Sequence, residues 1–236
     1  MPALVITHTE SEDPGLIGRW LPEEGLGLHT VEPWRGDELP AGLDGHEALV
    51  VMGGPQQAYD DGSAPWLGQT KDLIRSAVAQ GIPTLGVCLG AQLLAEATGG
   101  QVKPGEHGPE LGAKLVAKRD AAGSDPLFWD LPLSPVVVQW HWDAITDLPP
   151  GATLLMSSTA YPHQAFRVGD RAWGLQFHIE TDAAVVSRWA DHNRPELLEL
   201  EIDPDALLGR TVTELAEVEE VWGEVVRRFA RLALER

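Results

Sequence analysis

The sequence predicts an α/β fold of three layers: a mostly parallel central sheet with helices on both faces, extra antiparallel strands and a helical C-terminal extension. Three observations predict it. Up to Gly100, short apolar runs alternate with stretches of helical periodicity, the βαβα order that parallel strands and crossover helices require. From about Val102 to Phe177 the runs become short, apolar or alternating, and turn residues separate them. From Asp182 onward the spacing is helical. A single domain over 1–236, with a core of 1–181 and a helical extension of 182–236, accounts for all three.

Each element has a local reason. Leu4 to Thr7 is an apolar strand. Pro14 to Glu24 reads as a helix, with Asp13 placed to cap it and Pro14 in its first turn; Gly25 and Gly27 end it. Leu28 to Val31 is a second short strand, and Ala48 to Met52 is a buried strand that stops at Gly53-Gly54-Pro55. Leu67 to Gln80 has helical spacing and Gly81 terminates it. Pro83 to Val87 is the next strand, and the helix Ala91 to Thr98 follows. Leu111 to Ala117, Val136 to Trp140, Leu154 to Ser157, Ala165 to Val168 and Ala172 to Phe177 are the antiparallel candidates, in the same sheet or beside it. In the tail, Val185, Val186 and Trp189 share one apolar face. Thr213 to Leu234 forms an amphipathic helix with its acids early and its arginines late, as the helix dipole favours.

Composition excludes several roles. The net charge is −19, so no basic face is available to neutralise phosphates or anionic lipid; neither nucleic acid nor membrane is an expected partner. The start, Met1 to Thr7, has no basic segment and no signal-length apolar run, and no stretch approaches a membrane span. One cysteine excludes an internal disulfide. A cytoplasmic location is the expectation.

That cysteine, Cys88, stands between Gly86 and Gly90 where an apolar strand meets a helix. Ligands of open α/β sheets sit at the carboxyl ends of the strands. A sharp strand-to-helix turn crowds the nucleophile's neighbours, which explains glycines two residues either side, as in the Gly-x-Ser-x-Gly elbow. The helix N-terminus stabilises a thiolate, and the N–H of Leu89 is free to face an oxyanion. A buried structural thiol is the alternative. A nucleophile needs a base, and His178 with Glu180 in "WGLQFHIE" supplies one. Residues i and i+2 of a strand point the same way, so the carboxylate can orient the imidazole. The competing role for Glu180 is to cap the next helix near Thr181-Asp182.

Cys88 in "GVCLGAQLLAEATGG", with His178 and Glu180 in "GLQFHIE", resembles a class I glutamine amidotransferase domain. The chain is similar to stand-alone proteins like the glutaminase part of GMP synthase. Further segments carry the likeness: "VITHTESEDPG", "LVVMGGPQQAYDD", "APWLGQTKDLIRSAVAQGIPTLGVCLGAQ", "ELG", "QWHWDAI" and "QAFRVG". The resemblance implies the flavodoxin-like fold of that family and a Cys88–His178–Glu180 triad that forms a γ-glutamyl thioester. It implies an oxyanion hole from the backbone N–H groups of Leu89 and Gly54. It also implies a substrate site at Gly53, Gln92, His141, Trp142 and Asp143. No cofactor is implied. A metal at His141, Asp143, His178 and Glu180 is a weaker reading, because it leaves the cysteine turn without a role.

Two positions depart from the family's pattern. Relatives often read His-Pro-Glu where this chain has Ile179; an apolar residue there should point away from the triad. Relatives commonly read His-Gly-Asp where Trp142 stands, so the pocket is expected to be narrowed or reshaped, or else Trp142 packs away from it. If strand geometry continues, Trp140 and Trp142 share one face. The remaining histidines, His8 among them, read as surface or loop residues. With no P-loop in the sequence, any ammonia-consuming synthase is expected to be a separate subunit. Three functions fit: glutaminase of an amidotransferase, self-contained γ-glutamyl hydrolase or peptidase, and non-catalytic binding protein on the same scaffold.

Overall fold

The computed structural model describes residues 1–235. Its strands are β1 (Ala3–Ile6), β2 (Leu28–Val31), β3 (Ala48–Val51), β4 (Thr84–Val87), β5 (Gln101–Pro104), β6 (Glu110–Leu115), β7 (Ala117–Lys118), β8 (Val136–His141), β9 (Asp143–Asp147), β10 (Thr153–Ser157), β11 (Ala165–Val168) and β12 (Ala172–Leu175). Its helices are α1 (Gly15–Glu23), α2 (Trp66–Gln80), α3 (Leu89–Ala97), α4 (Ala183–His192), α5 (Arg194–Glu199) and α6 (Pro204–Leu234).

The main sheet has the order β2-β1-β3-β4-β12-β11-β10-β7. The first five strands in that order pair in parallel, and β11, β10 and β7 extend the sheet antiparallel. Two-residue alternation sorts the strands' side chains into two cores. Ala3, Val5, Val50, Val87 and Trp173 face α1 and α6 with Trp20, Trp222 and Phe229. Leu4, Ile6, Leu49, Val51 and Phe166 face α2 and α3. This is the expected three-layer α/β fold, and burial of both faces is why the strands read as continuous apolar runs.

Beside the sheet stand two ribbons, β5 with β9 and β6 with β8. The second is pinned to α6: Ala113 N–H donates to Thr211 Oγ1 at 3.2 Å, and Trp222 Nε1 donates to the Val136 carbonyl at 2.8 Å. The strands β5 and β9 and the helix α5 were not expected, being too short for a periodic signal.

Local differences have plain causes. Asp13 does not cap α1 as a helix-capping side chain; Pro14 holds the cap position and Asp13 Oδ1 accepts from Gly15 N–H at 2.8 Å. The last helix starts at Pro204, not Thr213, because Asp203 accepts from Asp205 and Ala206 N–H groups. The acids Glu214 to Glu220 therefore lie in mid-helix, where Glu219 pairs with Arg19, and the acid of the first turn is Asp205. The helix after Cys88 begins at Leu89 rather than Ala91. Among the described residues, no helix is long and apolar enough to cross a membrane.

Candidate active site

The loops after β1 and β3, the turn after β4, the junction of β8 and β9 and the helices α4 and α5 line one cleft of about 740 Å³. Cys88 lies on its floor, directly after β4. Its backbone has φ 49° and ψ −107°, a strained region for a residue with a side chain. The flanking glycines are sterically required. A Cβ on Gly86 would lie 2.4 Å from the Gly90 carbonyl oxygen, and one on Gly90 would lie 2.0 Å from the Val51 carbonyl oxygen. Strand, turn and helix thus pack backbone on backbone, and the thiol is held between Leu175, whose carbonyl accepts the Cys88 N–H at 2.7 Å, and the Trp140 carbonyl, 3.9 Å from Sγ.

His178 follows β12 and is tied to β8 by two backbone bonds with Val138. Its Nδ1–H donates to Glu180 Oε1 at 2.7 Å, which leaves Nε2 for the thiol. Trp189 of α4 packs behind the ring, with centroids 4.6 Å apart. Glu180 does not cap α4; Asp182 does, accepting from Val185 N–H. The second oxygen of Glu180 accepts the Ile179 N–H at 2.9 Å. Ile179 itself is fully buried in the apolar core. Burial opposes a charge on His178, but Glu180 and Cys88 outweigh it and raise its pKa well above the ordinary range. Burial raises the Cys88 thiol; His178 pulls it down, and Glu12 and Glu180 push it further up.

The other expected residues gather around this centre. Leu89 packs on Gly54, and neither backbone N–H donates to a described residue. Gln92 is buried; its Nε2 donates to the Asp143 carbonyl at 3.1 Å and to Gln176 Oε1 at 3.2 Å. His141 Nδ1–H donates to the Asp143 carbonyl at 2.8 Å, and its Nε2 lies 3.3 Å from Glu110 Oε2. Asp143 reaches the cleft with one carboxylate oxygen unpartnered, and burial raises its pKa despite the Tyr59 hydroxyl and His141. Trp140 and Trp142 do not share a strand face, because β8 ends at His141 and β9 starts at Asp143. Trp140 packs on Trp189 and both line the cleft, as does Trp142, whose indole N–H is unpartnered. Gly53 does not line the cleft; the Glu12 carboxylate covers it.

Three contributors escaped the sequence reading. Glu12, on the loop after β1, has its Oε2 buried without a partner, and burial raises its pKa to about 7 against the pull of His178. His8 is no surface residue: it is 1% exposed, accepts the Trp66 indole N–H at 3.2 Å, and burial lowers its pKa to about 3. Arg188 of α4 is the only lysine or arginine among the described residues lining the cleft. For Glu12 and His8 the one available signal was position, since the loop after β1 must lie at the same sheet edge as Cys88.

The family model for "Glutamine amidotransferase class-I" matches residues 28–186. A solved glutamine amidotransferase from Thermotoga maritima is 33% identical, superposes with a TM-score of 0.87, and the match covers 98% of each chain. A GMP synthase (glutamine-hydrolyzing) of Porphyromonas gingivalis is 31% identical over 75% of this chain but only 33% of its own, so this chain spans about a third of that relative. Gamma-glutamyl peptidase 3 of Arabidopsis thaliana is 25% identical over 80% of this chain and 76% of its own. With a buried cysteine elbow, an oriented imidazole and these matches together, the chain belongs to the class I glutamine amidotransferase family.

Proposed function

We propose that the protein hydrolyses γ-glutamyl amides, glutamine being the simplest, through a γ-glutamyl thioester on Cys88. The observation that carries this reading is the imidazole of His178, fixed by Glu180 through Nδ1 and presenting Nε2 to a thiol on a strained elbow. The thiol proton passes to Nε2, and Sγ forms a bond to the carbonyl carbon of the γ-carboxamide. The displaced oxygen takes charge against the Gly54 and Leu89 N–H groups. His178 returns the proton to the nitrogen as the C–N bond breaks. Water then adds to the thioester, giving its proton to His178, and the C–S bond breaks to release glutamate. The unpartnered Asp143 oxygen suits an α-ammonium, and the unpartnered Trp142 N–H suits an α-carboxylate.

The ammonia released would serve a separate synthase subunit in an amidotransferase. A second reading, a self-contained γ-glutamyl peptidase, is favoured by the extent of the cleft. It runs past the triad to Arg188, His192 and Glu196, which leaves room for a leaving group larger than ammonia.

The test is glutamate release from glutamine and from glutathione by the purified protein, with Cys88→Ala beside it. Cys88→Ala should lower turnover on the order of 10⁴-fold or to background. Release that survives Cys88→Ala refutes the thioester. Preference for glutathione selects the peptidase reading, and slow release from glutamine alone selects the amidotransferase subunit.

A further inference from the structure

Glu12 is a carboxyl group that the reaction described above does not use, although it lies inside the site. A side chain starting on Gly53 would place its Cβ 1.9 Å from Glu12 Oε2 and 3.1 Å from His178 Cε1. The carboxyl and the imidazole therefore converge over the same face of Gly53. The next residue, Gly54, offers one of the two free N–H groups of the oxyanion hole. Oε2 is buried and has no hydrogen-bond partner. An acceptor buried in this way is destabilising unless a donor arrives.

We propose that Glu12 is a specificity-determining residue: its Oε2 accepts the N–H of the leaving nitrogen, so the site selects γ-glutamyl amides over γ-glutamyl esters. This rests on the thioester reading above. The scissile group has one carbon and two arms. With the carbon at Cys88 Sγ and the oxygen at the Gly54 and Leu89 N–H groups, the nitrogen turns toward His178, which must protonate it. His178 Cε1 is bonded to Nε2, so a carboxyl near Cε1 is within reach of a nitrogen that Nε2 protonates. An amide nitrogen brings hydrogens that need an acceptor there. An ester oxygen brings only lone pairs and, above about pH 7 where Glu12 is ionised, meets the carboxylate unfavourably. The same contact disfavours the flipped carboxamide, in which the carbonyl oxygen would face Glu12. It also gives a reason for glycine at 53, since any side chain would displace Oε2. The Glu12 protonation state does not change in the reaction: the proton that leaves with the nitrogen comes from His178, and the C–N bond breaks to give ammonia.

The experiment compares L-glutamine with L-glutamate γ-methyl ester at about pH 8, where Glu12 is ionised, both read as glutamate release, in the wild type, Glu12→Gln and Glu12→Ala. The expected result is a fall of at least about tenfold in the amide-to-ester ratio of kcat/KM in Glu12→Ala, with a smaller fall in Glu12→Gln, which keeps an acceptor oxygen. Ester turnover by the variants also reports that they fold. Equal losses on both substrates in both variants would mean a structural role and overturn the proposal, as would an unchanged ratio. A wild type with no Cys88-dependent release from either substrate would refute the thioester reading itself, and the proposal with it.

Discussion

Two loops leave parallel strands and enter the same cleft on opposite terms. The turn after β4, Cys88 to Gly90, is packed so tightly that backbone meets backbone on two sides, Gly86 against Gly90 and Gly90 against Val51. The loop after β1, Thr7 to Pro14, is polar, with residues from fully buried His8 to exposed Glu10 and Asp13. The first is built by excluding side chains, and so its sequence is a motif. The second is built by placing one carboxyl, Glu12, where tertiary structure happens to need it. The lesson is that close approach leaves a signature of glycines, whereas a contact made by a long side chain leaves none.

The strongest way to break this contrast is Gly90→Ala. Its Cβ would meet the Val51 carbonyl, a backbone atom that cannot swing aside. The expected cost is about 3 kcal/mol, a fall in Tm of roughly 10 °C, with loss of glutamate release. Gly62→Ala, with open space around it, should stay within about 0.5 kcal/mol. An unchanged melting curve for Gly90→Ala would remove the steric account of the elbow.

The loop after β1 should instead reveal itself through pH. Glu12 holds its proton to about pH 7 in the fold, above the ordinary carboxylate value of 4.5, so its contribution to stability is lost as pH rises from 4.5 to 7. His8 works the other way. It is neutral in the fold down to about pH 3, so its contribution is complete above 6.5 and is lost as pH falls toward 3. Thermal melts from pH 4 to 8 should show Glu12→Gln gaining about 2 kcal/mol over the wild type near pH 8. His8→Asn should flatten the acid side. Parallel pH profiles for all three proteins would contradict the buried placement of this loop.

The smallest expected effect concerns Ile179. A proline there, as relatives often have, cannot donate the N–H that Glu180 Oε2 accepts at 2.9 Å. Ile179→Pro should lower kcat a few-fold, because it removes one hydrogen bond to the Glu180 carboxylate while Glu180 keeps its bond to His178. Equal kcat in steady-state assays would show that Glu180 is oriented by His178 alone.

Much of the site was legible because its geometry is local. Gly86, Cys88 and Gly90 lie within five residues, and His178 and Glu180 are two residues apart in the segment that follows β12. The pocket wall was less so. Trp142 could be named as a departure from relatives, but its facing depended on β8 ending at His141 and β9 starting at Asp143, strands of two different ribbons. Arg188 and Trp189 read as part of an amphipathic helix, and only the docking of α4 brings them to the cleft.

The sequence by itself determined the α/β class, the cysteine turn and its base, because apolar periodicity and steric exclusion act between residues close in the chain. The tertiary structure alone decided that β6 and β8 form a ribbon against α6, that His8 is buried, and that Glu12 covers Gly53. Those outcomes depend on long-range packing, which buries particular polar atoms only after distant elements have met. No spacing along the chain encodes them.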